Sequence, residues 1–185
     1  MELRRGGLLE VVGLSGSLRT GSTNTELLKA AALVAPYGMY VRVVDYPERL
    51  PAFNPDNDSD ELLPKVASEW RDLVASAHAL IISCPVYAGG LPGALKNSLD
   101  WLVGDGRFEG KHVALLNTSS RFAPAQELLE TVLTTMSARI LRAACCTIDL
   151  LGSKLDASAI ARDVQRAPKL RQAMRELGLE ITKAE

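Results

Sequence analysis

The chain is predicted to fold as an α/β protein, a three-layer, doubly wound parallel sheet of about five strands with helices on both faces. Three observations predict it. Short apolar or β-branched runs recur at residues 8–14, 39–45, 79–83, 111–117 and 142–150, each the length of a strand. Most of them lack polar alternation, as strands covered on both faces do. Between them lie segments with apolar residues at helical spacing, so strands and helices alternate, and that order gives parallel strands joined by right-handed crossovers.

The elements follow in order. Residues 8–14 (LLEVVGL) form the first strand. A helix is expected over about 25–35, with Leu27, Leu28, Ala31 and Ala32 facing inward and Pro36 and Gly38 ending it. Residues 39–45 (MYVRVVD) are the second strand. Residues 46–60 hold Pro47, Pro51 and Pro55 with several Asp, and read as a long loop. A helix over 61–76 would place Leu62, Val66, Trp70, Leu73 and Val74 on one face. The strand 79–83 leads into a Pro- and Gly-bearing loop. Beyond it, Leu91, Ala94, Leu95, Leu99 and Leu102 make the stripe of a half-buried helix. Strand 111–117, helix 124–136, strand 142–150 and one or two helices over 156–183, interrupted near Pro168, complete the chain. With no repeat and no low-complexity linker, residues 1–185 read as a single domain.

Composition narrows the function. Of 185 residues, 47% are hydrophobic and 23% charged, ordinary values for a globular protein. A net charge of -1 argues against nucleic acid as a partner, because duplex binding draws on many Lys and Arg contacts to phosphate. No apolar run reaches a membrane span, and residues 1–7 lack the features of a secretory signal. Cys84, Cys145 and Cys146 form no C-x-x-C pair, and His78 and His112 have no metal-ligand spacing. The thiols read as small core residues in a reducing compartment, the cytoplasm.

Two loops carry the chemistry. The first, SGSLRTGSTNT at 15–25, joins a buried strand to a helix N-terminus, where unpaired N–H groups and the helix dipole favour an anion. Ser15, Ser17, Ser22, Thr23 and Thr25 offer hydroxyls, Arg19 a guanidinium, and Asn24 an amide or a helix cap; Gly16 and Gly21 permit tight turns. A capped, solvated loop has the same polarity. The segment is neither G-x-x-x-x-G-K-[ST] nor G-x-G-x-x-G, so a monophosphate suits it better than a pyrophosphate. The second loop follows strand 79–83 and offers Pro85 and Tyr87 as a platform for a flat ligand. In a flavodoxin-like sheet these two loops lie side by side at the switch point. A phosphate joined to a planar ring system is what FMN presents.

The residues also resemble a known family. Gly16-Ser17-Leu18-Arg19-x-x-Ser22-x-Asn24 is similar to the first motif of the NADPH-dependent FMN reductase family. Pro85-x-Tyr87-x-Gly89-x-x-Pro92-Gly93-x-Leu95-Lys96-Asn97-x-Leu99-Asp100-Trp101 resembles its second. The family includes flavin, quinone, azo-dye and chromate reductases. The resemblance implies a flavodoxin-like fold and an oxidoreductase that passes hydride from NADPH or NADH to bound FMN and on to a small acceptor. By position, Ser15, Ser17, Arg19, Ser22, Thr23 and Asn24 would hold the FMN phosphate. Pro85, Val86, Tyr87, Ala88 and Gly89 would meet the ribityl chain and ring. The flavin would carry the chemistry, so no catalytic side chain is required, and Tyr87 would pack on the ring. The resemblance further implies a homodimer or homotetramer, with Lys96, Asp100 and Trp101 lying off the apolar stripe and available to a partner; Lys96 and Asp100 also suit an exposed i, i+4 pair.

The chain departs from the family pattern at two places. Val86 and Ala88 stand where many members have polar residues. The loop after the fourth strand, Asn117-Thr118-Ser119-Ser120-Arg121-Phe122, has no glycine. Thr118 and Ser119 offer hydroxyls to the flavin ring there, and Arg121 offers a charge near it. A flavodoxin-like electron carrier and a flavin-less scaffold or sensor are the rival classes.

Overall fold

The computed structural model describes residues 7–120 and 123–184. Strands β1 (Leu9–Ser15), β2 (Met39–Val44), β3 (Ala79–Ser83), β4 (His112–Asn117) and β5 (Arg139–Ile140) lie in the order β2-β1-β3-β4-β5, all parallel. The register pairs Val11 with both Val41 and Ala79, and Ala79 with His112. This is the doubly wound order, with its switch point between β1 and β3. The central strands are buried from end to end: all five residues of β3 are inaccessible or nearly so.

Helices α1 (Thr23–Val34), α6 (Ala157–Arg162) and α7 (Ala167–Ala184) cover one face. Their core packs Leu27, Leu28, Leu170 and Leu177 on Val11, Ile81 and Leu116. Helices α2 (Tyr46–Arg49), α3 (Lys65–Ser76), α4 (Gly93–Val103) and α5 (Ala123–Thr135) take the other face, where Trp70, Leu95, Leu99 and Leu133 pack on Leu14, Leu80 and Leu115. Among the described residues no helix is long and apolar enough to cross a membrane.

Four expectations need correction. Residues 46–60 are not an open loop. Pro47 starts the four-residue α2, Tyr46 stacks on Trp70 at 5.2 Å, and Leu50 is buried. The same segment covers α4, and this corrects the placing of Trp101. Trp101 is fully buried, its Nε1 donates to the Pro51 carbonyl at 2.8 Å, and its ring meets Phe53 edge-on at 5.0 Å. It is not free for a partner, whereas Lys96 and Asp100 do form the i, i+4 ion pair.

Helix α3 begins at Lys65, not at 61. Pro64 disfavours helical backbone at Leu63 and so sets the boundary; Leu62 is left exposed. The run 142–150 is not one strand. After β5 the chain makes a 3₁₀ turn at Arg142–Ala144 and returns as β6 (Cys146–Thr147), which pairs with Leu116 and Asn117. Arg142-Ala143-Ala144 has little strand preference. Where the edge leaves the ladder, the Leu115 N–H donates to Cys145 Sγ at 3.3 Å.

The break between α6 and α7 falls at 163–166. The Asp163 carboxylate accepts from the N–H groups of Gln165 and Arg166, each at 2.9 Å. Pro168 lies in the first turn of α7, where a missing N–H costs nothing.

Candidate active site

The site forms where β1 and β3 end. The Gly16 N–H donates to the Ser83 carbonyl at 2.9 Å, so the first loop leaves the sheet against the second. Gly16 serves close approach and not a turn: a Cβ there would stand 3.0 Å from Leu95 Cδ2 and 3.1 Å from Pro85 Cδ. The turn belongs to Gly21, at φ +67°.

Within the loop, the Ser17 N–H donates to Ser15 Oγ (3.2 Å), and Ser15 Oγ lies 2.8 Å from Thr25 Oγ1. The Ser15 and Thr25 hydroxyls therefore brace the loop from beneath. Helix α1 begins at Thr23, two residues earlier than the sequence spacing suggests. Ser22 is its N-cap, in extended backbone, and no side chain caps the helix. The first-turn N–H groups have no partner inside the helix and remain available to a ligand. Asn24 is not the cap. It sits inside the first turn, buried, and its Oδ1 accepts from the Ser83 hydroxyl at 2.9 Å. Arg19 is exposed, and its guanidinium forms no ion pair among the described residues.

The second loop is built on a tight turn. Tyr87 and Gly90 exchange both backbone hydrogen bonds, N–H to O at 3.1 and 2.9 Å. Ala88 (φ +49°) and Gly89 (φ +76°) form its corner, the geometry of a type I′ turn. Tyr87 is half exposed, at 51%, and its hydroxyl lies 3.2 Å from Ser17 Oγ.

These parts line one cleft of about 230 Å³. Ser17, Arg19, Ser22, Thr23 and Asn24 line it from the first loop, Pro85, Val86 and Tyr87 from the second, and Thr118 from beyond β4. Three further lining residues are absent from the sequence reading: Leu150, Leu151 and Gly152. Their signal was present, a glycine (φ +73°) just beyond the last strand, at the carboxyl edge of the sheet. The Leu150 N–H donates to the Thr118 carbonyl at 2.9 Å and holds the segment in place. Ser15 lines a separate cleft of about 250 Å³ on the other side of the first loop. Ala88, Gly89 and Ser119 adjoin the first cleft without lining it; Ser119 is buried. Arg121 and Phe122 lie outside the described residues.

Among the described lining residues Arg19 is the only charged group, and the remaining polar groups are hydroxyls, an amide and backbone N–H. Such a wall attracts an anion and offers no carboxylate to repel one. Cys84, just before Pro85, supplies no nucleophile: burial pushes its thiol up to about 12, so it stays protonated at neutral pH. The cleft can therefore bind and orient a ligand, and its described residues hold no acid–base or nucleophilic pair.

The model of the NADPH-dependent FMN reductase family matches residues 9–150. The chain belongs to this family. An NAD(P)H-dependent FMN reductase of Pseudomonas aeruginosa is 35% identical over 121 residues, 64% of each chain. A 2-hydroxy-1,4-benzoquinone reductase of Burkholderia sp is 38% identical over 114 residues, 60% of this chain and 61% of that one. The matches thus span less than two thirds of these relatives' length. In three dimensions the chain is similar to FerB, a flavoenzyme NAD(P)H:(acceptor) oxidoreductase of Paracoccus denitrificans, with a TM-score of 0.75 at 24% identity over 95% of this chain and 98% of that one. At that identity the likeness speaks for the fold alone. Both motif loops of this family member fall inside the matched region and meet at the cleft.

Proposed function

We propose that the chain is an FMN-dependent NAD(P)H oxidoreductase that reduces a small acceptor, such as a quinone, a free flavin, an azo compound or a metal oxyanion. One observation carries the reading: a wall of donors at an uncapped helix N-terminus faces Pro85, Val86 and a half-exposed Tyr87 across a single cleft. The residues present fit the cofactor. Asn24 and Arg19 hold donors with no acceptor among the described residues, beside Ser17, Ser22, Thr23 and the first-turn N–H groups, and together these suit a phosphate. Pro85 to Tyr87 would flank the ring, while Thr118 and the 150–152 segment would close the cleft from beyond β4. When bound, FMN supplies the hydride chemistry. The chain's own residues bind it, orient it and leave one approach open for NADPH or NADH and then the acceptor. The three free thiols are consistent with a cytoplasmic site of action. A homodimer or homotetramer through the Lys96 and Asp100 face of α4 is part of the same proposal.

The test is direct. Purified protein is expected to quench FMN fluorescence with micromolar or tighter affinity and then to oxidise NADPH or NADH in the presence of a quinone. Failure to take up FMN would overturn the reading, and uptake without nicotinamide oxidation would favour an electron carrier. Arg19→Ala should weaken FMN by about 10- to 100-fold while sparing riboflavin, because a charge-assisted hydrogen bond contributes about 1.5–3 kcal/mol and only FMN has the phosphate.

A further inference from the structure

We propose that Ser83 is a positioning residue for anion capture: its buried hydroxyl anchors the Asn24 amide, whose NH₂ end is left for the cleft. The inference rests on the FMN reading for its ligand, and on the hydrogen bonding for its mechanism.

Ser83 is the last residue of β3 and is fully buried. The four residues before it, Ala79 to Ile82, are apolar, so its hydroxyl is the only polar side chain on that strand. An alanine would fill nearly the same space and need no partner. The hydroxyl instead donates to Asn24 Oδ1 at 2.9 Å, across 59 residues of sequence. The carbonyl of Ser83 accepts from Gly16 at 2.9 Å, and the residue pairs with Ser15 in the β1–β3 register. A single residue thus grips both ends of the first loop: its start through the main chain, and the first turn of α1 through the side chain.

In the structure the grip falls on the accepting end of the amide. An asparagine side chain has an accepting end and a donating end. With Oδ1 held by Ser83, the donating Nδ2 is the end left for the cleft that Asn24 lines. Nδ2 has no protein acceptor among the described residues, yet it is not a sealed, unsatisfied atom. An anion in the cleft would meet two N–H bonds. A flipped amide would present a carbonyl oxygen to the same anion and repel it. Ser83 therefore holds the amide in place for this contact, although it touches no ligand itself.

The experiment compares FMN and riboflavin affinities by fluorescence quenching for wild type, Ser83→Ala, Ser83→Thr, Asn24→Ala and the Ser83→Ala/Asn24→Ala pair. Ser83→Ala is expected to weaken FMN about tenfold and leave riboflavin unchanged. Ser83→Thr retains a hydroxyl and should restore FMN affinity. In the Asn24→Ala background, Ser83→Ala should do nothing further to FMN, since its route is gone. Equal losses for both flavins, or full additivity in the pair, would reduce Ser83 to a structural role and overturn the inference. A flavin-free arm begins with wild type alone: on titration with inorganic phosphate, the Asn24 side-chain NH₂ resonances should shift. Resonances that stay still overturn the inference even if Ser83→Ala does not fold. Resonances that shift with phosphate in wild type but need about tenfold more phosphate in Ser83→Ala, in a protein that rejects FMN, would sink the flavin reading and leave the positioning role standing.

Discussion

The Tyr87 hydroxyl lies 3.2 Å from Ser17 Oγ and so joins two loops 70 residues apart. Tyr87 is half exposed, so water competes for this long bond, and it contributes only about 0.5 kcal/mol at the low end of the usual range. Tyr87→Phe is expected to shift the urea midpoint slightly downward and to leave FMN affinity within twofold. Ser17→Ala removes a hydroxyl that lines the cleft and, on the proposed reading, should weaken FMN several-fold with riboflavin unaffected. If riboflavin falls equally, Ser17 serves the loop and not the phosphate.

The corner of the second loop carries strain that a substitution can relieve. Ala88 sits at φ +49° with an exposed side chain, a conformation that costs an L-residue about 1–2 kcal/mol. Asparagine tolerates it better, so Ala88→Asn should stabilise the fold by about 0.5–1 kcal/mol. Ala88→Gly should gain less, because glycine raises the entropy of the unfolded chain by about 0.4–1 kcal/mol. A thermal melt in which both variants fall below wild type would show that Ala88 makes contacts that outweigh its backbone.

Much of this was legible in the sequence, and the misses have physical causes. Strand 79–83 was readable to the residue, because Ala79 to Ile82 is a short apolar run, β-branched at its end, that stops at Cys84-Pro85. The two motif loops were readable because glycine, proline and small hydroxyl residues cluster there. Periodicity gave the inward stripe of α4 but not the burial of Trp101. A helical wheel records one face, whereas the 46–60 segment folds back and covers a second. That segment looked like a loop because its prolines break periodicity; its order comes from distant partners, Trp70, Asn97 and Trp101. The Ser83–Asn24 bond was invisible for the same reason. Neither residue announces a partner 59 positions away.

A buried ion pair anchors that covering segment. Arg71 Nη2 meets Asp58 Oδ1 at 2.6 Å, and its Nε donates to the Trp101 carbonyl at 2.6 Å. The side chains are only 10% and 15% exposed, so removing one partner leaves the other charge without compensation. Asp58→Ala should cost about 3 kcal/mol, and adding Arg71→Met should recover part of it. Gly104→Ala attacks the same joint, since its Cβ would overlap the Asp58 carboxylate. Denaturant melts of Asp58→Ala, Arg71→Met, their double variant and Gly104→Ala test this; additive losses in the double variant would show that the pair is not coupled.

The stability should also depend on pH through His112, at the start of β4. Burial, then Arg139 and Lys111, hold its imidazole below the ordinary 6.5, with Glu180 opposing. A base whose folded pKa is lowered resists protonation more in the folded state than in the unfolded one. As pH falls through 6.5 the unfolded chain takes up its proton first, so stability declines until the lowered folded value is reached, then levels off for this group. Above about pH 7.5 the imidazole is neutral in both states and contributes no slope. His112→Gln should therefore remove the part of the wild-type decline that lies just below pH 6.5 and leave the carboxylate-driven losses at lower pH in place. Melting temperatures of both proteins from pH 5 to 8 make the comparison. Parallel curves would show that His112 titrates alike in the folded and unfolded chain.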